Sequence, residues 1–275
     1  GYIWSCMTKS LLVGCGNLGQ NIISGFYKKK EKILICDENK NLLEKISKNY
    51  QNFFEVSENI KKISLEKVGY ILLCIKPQQA LKILKIISQK KKPKIKIISF
   101  VAGLKEKKIQ SFFDYKVEVI RIMPNLLLKV HKSTTGIFSS NLNVSEKKKI
   151  EKKFSFFGKL IWLKKENHMD FFTAFFGGGP AYLSFFFEIL SKILIKNGFN
   201  KKLSNELVLI LVSGTIEIIG KNLNFHDVVK KVASKNGTTE KALNFLKKEK
   251  KLSLLISQAI SKAERRSEEI AKDLL

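Results

Sequence analysis

The sequence predicts an α/β protein in two parts: a parallel sheet wrapped by helices over residues 1–164, then an all-helical part over residues 165–275. Three observations carry that expectation. From Ser10 to Phe100, short apolar runs alternate with polar segments of helical period, the pattern of successive strand–helix units. The runs are apolar at nearly every position, as strands covered on both faces need to be. Beyond Asn167 the strand pattern stops and only helical periods remain.

Taken in order, strands are expected at residues 10–14, 32–36, 70–75 and 95–100, each followed by a helix-like stretch. Residues 105–113 read as a further helix and 117–123 and 134–138 as strands. The lysine-rich segment from Ser145 reads as a helix, and the Leu-Ile-Trp-Leu run near residue 161 as the last strand. In the second part, residues 171–187 carry no charge, but Gly177, Gly178, Gly179 and Pro180 interrupt them. The interruption argues for a buried helix entered through a tight turn and against a membrane span. Asn197-Gly198 reads as a helix stop, Ser204 as an N-cap, and the run from Lys241 to the end as one long amphipathic helix.

A formal charge of +27 on 275 residues invites a nucleic-acid reading, since clustered cations neutralise phosphates. The kind of cation argues against it. Only Arg121, Arg265 and Arg266 are arginines, and the lysines are spread along the chain among abundant Ile, Asn and Phe. Base reading favours the bidentate fork of Arg, so the charge is taken as compositional drift and no nucleic-acid partner is expected. The lysine runs read as solvated faces. Cys6, Cys15, Cys36 and Cys74 form no metal spacing, which suggests a reducing, cytoplasmic setting without a metal. The residues before Met7 lack the features of a signal peptide and read as a misplaced start or a tag.

The first strand runs directly into Gly14-Cys15-Gly16-Asn17-Leu18-Gly19, a complete GxGxxG that opens a helix. The first glycine permits the tight turn, the second lets backbone approach a pyrophosphate, and the third allows close helix–strand packing. The helix N-terminus then faces the negative charge. Because strand, loop, helix and next strand follow in order, the N-terminal part is expected to be a Rossmann dinucleotide-binding domain. The second strand ends at Asp37, where a carboxylate can accept hydrogen bonds from the ribose hydroxyls and would repel an additional 2′-phosphate. Asp37 and Glu38 therefore tilt the expectation from NADPH toward NADH, with Lys40 as a partial offset; the bland alternative is that Asp37 only starts a turn.

His131, His168 and His226 are isolated, and nothing suggests a nucleophilic triad. A reductase manages without one, because the cofactor brings the chemistry and the protein brings position and electrostatics. Three segments at carboxyl ends of strands stand out: 75–78 (Ile-Lys-Pro-Gln), 100–103 (Phe-Val-Ala-Gly) and 121–125 (Arg-Ile-Met-Pro-Asn). On spacing alone they are either ligand-facing loops or plain turns. In the helical part, Ser234-Lys235-Asn236-Gly237-Thr238-Thr239 precedes a helix read as starting at Glu240. Such a turn either binds a carboxylate with its N–H groups and hydroxyls or simply caps the helix with Ser or Thr.

From about Lys9 to about Leu246 these segments resemble, in order and spacing, the pyrroline-5-carboxylate reductases. The resemblance rests on GCGNLG, CIKPQ, SFVAGL, RIMPN, GGGPAY and SKNGTT. It implies a Rossmann domain followed by a helical dimerisation domain, with the active site between domains and subunits, and reduction of the cyclic imine pyrroline-5-carboxylate to proline. By position it implies that Gly14, Gly16, Asn17, Leu18 and Gly19 hold the pyrophosphate and that Asp37 and Asn59 approach the adenosine side. Lys76, Pro77 and Ala102 would border the nicotinamide ribose, and Met123 and Pro124 would line the nicotinamide pocket. Ser234, Gly237, Thr238 and Thr239 would bind the substrate carboxylate, with the Thr239 hydroxyl near the ring nitrogen as the catalytic group, and Glu166 would border that pocket. It further implies at least a homodimer, with residues 207–219 and 252–260 as candidate contacts.

The chain departs from the family pattern at three places. MPNTPA has become Met-Pro-Asn followed by Leu126, Leu127 and Leu128, the serine of SGSGPAY is replaced at Gly178, and SPGGTT now carries Lys235 and Asn236. Asn236 can stand for a glycine in a left-handed turn. These departures leave open a related imine reductase or a weakened NAD(P)-binding paralogue.

Overall fold

The computed structural model describes residues 9–90, 95–220 and 224–274; Cys6 and the segment before Met7 lie outside them. The described chain forms two compact units. One runs up to Gly177 and takes back the chain from Ala263 onward, and the other is Gly178–Lys262.

The first unit is built on an eight-stranded sheet. In chain order the strands are β1 (Lys9–Val13), β2 (Ile33–Cys36), β3 (Glu55–Ser57), β4 (Val68–Leu73), β5 (Lys96–Ser99), β6 (Glu118–Met123), β7 (Ser133–Phe138) and β8 (Gly158–Trp162). Across the sheet they run β3-β2-β1-β4-β5-β6-β7-β8, and every pair is parallel except β6 with β7. The continuous apolar runs now have a physical account. Leu11, Val13, Ile71, Leu73 and Ile97 bury on one face and Leu12, Leu72 and Ile98 on the other, so neither face is left for polar side chains. Each such burial contributes roughly 1.5–3 kcal/mol. The helices α1 (Asn17–Lys28), α2 (Lys40–Asn49), α3 (Pro77–Ser88), α4 (Glu106–Gln110) and α5 (Val144–Lys153) connect the strands. Pro77 opens α3 at a position where its missing N–H costs nothing. At α5, Asn143 and Glu146 exchange hydrogen bonds with each other's backbone N–H.

Beyond β8 come α6 (His168–Phe172), α7 (Gly179–Lys196), α8 (Lys201–Ile219), α9 (Phe225–Val232), α10 (Thr238–Lys247) and α11 (Lys251–Lys272). Several expectations need correction here. Residues 173–177 form a π-helical turn leading into α7, where a tight turn was expected. The helix that follows is not buried within the chain. Phe185 is 62% exposed and Ile193 54%. By length and composition the stretch His168–Lys196 could cross a membrane. The helix cap is Asn200, whose side chain accepts the Leu203 N–H at 2.9 Å; Ser204 lies inside α8 and donates to the Asn200 carbonyl. Both residues are good caps, and Asn200 is the one that sits before the first turn. The run from Lys241 is two helices, broken where Glu249 takes φ 55°. The three-residue strand β3 was not foreseen, and α4 is shorter than residues 105–113.

Candidate functional site

The parallel pairing brings the carboxyl ends of β1, β4, β5 and β6 to one edge. Val13 pairs with Leu73, Leu73 with Ser99, and Ser99 with Arg121. The sheet order grows outward in both directions from β1 and β4, and ligands of such sheets bind at that reversal.

The glycine loop sits there, with three different geometries. Gly14 has φ +96°, and a Cβ on it would come within 2.5 Å of the Cys74 carbonyl. A Cβ on Gly19 would lie 2.2 Å from the Gly14 carbonyl, so only glycine lets α1 sit this close to the loop. A Cβ on Gly16 would meet nothing within 4 Å. That position is open to the outside, where a phosphate would need room. Gly16 also caps α1 without a side-chain hydrogen bond, leaving Asn17 and Leu18 in the first turn of a helix whose terminal N–H groups suit an anion. The loop thus fits a dinucleotide pyrophosphate on the chain's own geometry.

Asp37 is tied to this loop. Its Oδ2 accepts the Cys15 N–H at 2.7 Å, and its Oδ1 accepts the Asn39 N–H at 2.9 Å. It both starts a turn and braces the glycine loop. Lys40 pairs with Glu58 at 3.0 Å. Asn59 follows β3 and accepts the Lys61 N–H. An open groove of about 740 Å³ beside it, between Lys40, Leu43, Val56 and Lys62, lies off the glycine loop. The thiols of Cys15, Cys36 and Cys74 are free. Burial pushes all three up, Cys36 to about 11, so they act as neutral packing groups under the loop.

On the other side of β1, Lys76 is exposed with its N–H on the Gln79 side chain, and Pro77 follows. Ala102 is exposed between buried Val101 and Gly103. Gly103 takes φ +75°, with the end of α11 packed where its side chain would be. Met123 and Pro124 are half-buried at the end of β6. Asn125 is the residue that sequence reasoning missed here. Its N–H donates to the Ser133 hydroxyl, its Oδ1 accepts the Leu127 N–H, and its Nδ2 donates to the Phe176 carbonyl.

Glu166 is engaged within the first unit. Its Oε1 accepts from the buried Arg121 guanidinium at 2.9 Å and from the Glu106 N–H at 2.7 Å. Glu106 is itself buried and takes the Ser140 hydroxyl at 2.7 Å. Burial raises its carboxyl above the usual range, helped by the Glu166 charge and opposed by Ser140 and Arg121.

In the second unit the Ser234–Thr239 segment forms the start of α10, which begins at Thr238, earlier than the Glu240 start read from sequence. Gly237 is the cap, and no side chain caps the helix. Among the described residues, no hydrogen bond engages the hydroxyls of Ser234, Thr238 or Thr239. Asn236 takes φ +61°, the left-handed conformation expected of it. Its N–H donates to Glu240 Oε2 at 2.7 Å. Among the described residues no group of three or more His, Cys, Asp or Glu side chains could hold a metal.

Residues 166–270 match the family described as pyrroline-5-carboxylate reductase dimerisation, and residues 10–103 match NADP oxidoreductase coenzyme F420-dependent. The chain is 27% identical to pyrroline-5-carboxylate reductase 1 of Bacillus subtilis, over 97% of this chain and 90% of that one. It is 29% identical to the pyrroline-5-carboxylate reductase of Staphylococcus haemolyticus, over 96% and 98%. Together the two matches and these relatives support the pyrroline-5-carboxylate reductase family over most of the chain. Solved structures share the fold. A pyrroline-5-carboxylate reductase from Coxiella burnetii has a TM-score of 0.84 at 23% identity, covering 96% of this chain and 98% of that one. The pyrroline carboxylate reductase of Plasmodium falciparum, solved with NADP bound, has 0.76 at 23%, with the same coverage. Against the family pattern, Leu126 stands 61% exposed, so the replacement of a polar residue places apolar surface beside Asn125.

Proposed function

We propose that this chain is an NAD(P)H-dependent reductase that converts 1-pyrroline-5-carboxylate to L-proline, the last step of proline biosynthesis. The observation that carries the reading is the start of α10, a helix N-terminus whose three neighbouring hydroxyls have no partner among the described residues, in a chain that also holds a fitted dinucleotide loop. The Gly14–Gly19 loop and the first turn of α1 bind the pyrophosphate. Asp37 and Asn59 face the adenosine side, Lys76, Pro77 and Ala102 the nicotinamide ribose, and Met123 and Pro124 the nicotinamide. Ser234, the N–H of Gly237, and Thr238 neutralise the substrate carboxylate, which fixes the ring. The Thr239 hydroxyl holds a proton at the ring nitrogen, since a protonated imine accepts hydride more readily. When bound, the reduced nicotinamide supplies that hydride to the imine carbon. Glu166 shapes the pocket margin through Arg121 and the start of α4.

Two features support NADH over NADPH. Asp37 and Glu38 place negative charge where a 2′-phosphate would lie, and Lys40 is already paired with Glu58. The free thiols suit a cytoplasmic setting. The exposed apolar faces of α7, α8 and α11 suit a homodimer or larger homo-oligomer.

Steady-state oxidation of NADH and NADPH with pyrroline-5-carboxylate tests the reading. Thr239→Val should lower kcat/KM about a hundredfold, and Asp37→Ser should narrow the preference for NADH. Parent activity equal to that of Thr239→Val removes Thr239 from the mechanism. Cofactor binding without turnover identifies instead a paralogue that has lost catalysis, the outcome that the Leu126, Leu127 and Gly178 departures would explain.

A further inference from the structure

We propose that Asn125 is a positioning residue that holds the Met123–Pro124 wall against the nicotinamide by capping a carbonyl that Pro180 cannot serve. The inference rests on the reading that Met123 and Pro124 line the nicotinamide pocket.

In a regular helix the carbonyl of residue 176 takes the N–H of residue 180. Residue 180 is proline and has no N–H to give. The chain meets this with a π-helical turn over Thr173–Gly177, after which the ladder restarts, with the Ala181 and Tyr182 N–H groups both on the Gly178 carbonyl. The Phe176 carbonyl receives instead the Asn125 Nδ2 at 3.0 Å. A π turn inside a helix is a frequent mark of a functional site, and here it has a specific consequence. It presents a backbone acceptor to the loop directly after Pro124.

Asn125 uses its other groups in the same place. Its N–H reaches Ser133 Oγ at 3.0 Å, which is bonded in turn to Thr135, and its Oδ1 takes the Leu127 N–H at 3.1 Å. The helix end that leads into the π turn is itself fixed to β7, because Phe172, the last residue of α6, packs over Gly136, where a Cβ would come within 2.8 Å of the ring. Asn125 therefore pins the segment after Met123–Pro124 to β7, to its own following turn and to the π turn. The Asn of RIMPN and the Pro of GGGPAY are two halves of one device.

The test uses the full-length protein, with Asn125→Asp, Asn125→Ala, Pro180→Ala and the Asn125→Ala/Pro180→Ala pair. The emission of bound NADH reads the nicotinamide surroundings without turnover, and steady-state kinetics run beside it. Both Asn125 variants should bind NADH within about threefold of the parent, with altered emission of the bound nicotinamide, and kcat should fall about tenfold at unchanged substrate KM. Pro180→Ala returns an N–H that can serve Phe176, so the loss from Asn125→Ala should shrink about threefold or more in that background. Unchanged emission, a defect lying wholly in KM or Kd, or a full-size defect in the Pro180→Ala background overturns the assignment. A parent that binds NADH but does not consume pyrroline-5-carboxylate ends the functional reading alone, since emission still decides Asn125. A parent that binds neither NADH nor NADPH overturns both.

Discussion

The strands of the first unit and the helices of the second are similarly apolar, yet they meet opposite fates. Leu11, Leu12, Ile71 and Leu72 are fully buried by helices of their own chain. In α8, Leu209, Ile210 and Leu211 are each about three-fifths exposed, and Val208 is the buried apolar residue of that helix. A helix that is apolar around its whole circumference belongs inside something larger. The first unit carries its own covering, and the second is written for a partner. The family match over residues 166–270, described as dimerisation, supports self-association, and we propose that it covers these faces.

The sharpest way to break the contrast is to charge the helical face. Leu211→Glu combined with Ile218→Glu should weaken self-association at least a hundredfold, because a buried unpaired carboxylate costs several kcal/mol. Sedimentation equilibrium across concentration reads the shift. If the assembly survives at micromolar protein, these side chains face solvent, and the covering lies elsewhere. A charge at a sheet position such as Leu72 should prevent folding of the first unit itself.

Within the first unit, Gly16 and Gly19, three residues apart in the loop, should separate folding from binding. Gly19→Ala places a methyl 2.2 Å from a backbone oxygen, so it should cost about 1–3 kcal/mol of stability as well as cofactor affinity. Gly16→Ala meets nothing in the chain, so stability should hold while cofactor affinity falls. Denaturant unfolding beside titration of NADH fluorescence distinguishes the two. Equal stability losses would mean that the loop is not shaped for a phosphate.

The contrast also explains what could be read in advance. The strands β1, β2, β4 and β5, the tight turn at Gly14 and the close packing at Gly19 were legible, because each follows from local pattern: continuous apolar runs, a required positive φ, a close approach. Asn236 was legible for the same reason. The strand β3 escaped because three half-exposed residues carry no periodicity. Asn200 and Ser204 are both good caps, so composition could not choose between them. The pairing of Arg121 with Glu166 spans 45 residues and has no local signature. Burial of α7 was misjudged because apolarity specifies that a surface is covered and not by which chain. Asn125 stood in a quoted motif, but its role depends on a carbonyl freed by a proline far along the chain.

The smallest expected effect lies at Glu106, and it concerns pH. Its carboxyl is raised mainly by burial, so the folded protein keeps the proton in a range where the unfolded chain has released it. Its contribution is therefore most favourable below the ordinary glutamate range and is lost as pH rises through the raised value. Arg121, Glu166, Ser140 and Gln110 surround it, and only Arg121 brings positive charge. Glu146, lowered chiefly by its hydrogen bond from Lys96, has the opposite sign, losing stability as pH falls, so the parent curve alone mixes the two. Glu106→Gln keeps the Ser140 contact and cannot ionise. The difference in stability between Glu106→Gln and the parent should widen in favour of the variant as pH rises from about 4 to 7. Denaturant unfolding across that range measures it. A difference that stays flat would mean that Glu106 titrates as an ordinary carboxylate and that the Arg121 pair, shared with Glu166, already compensates its burial.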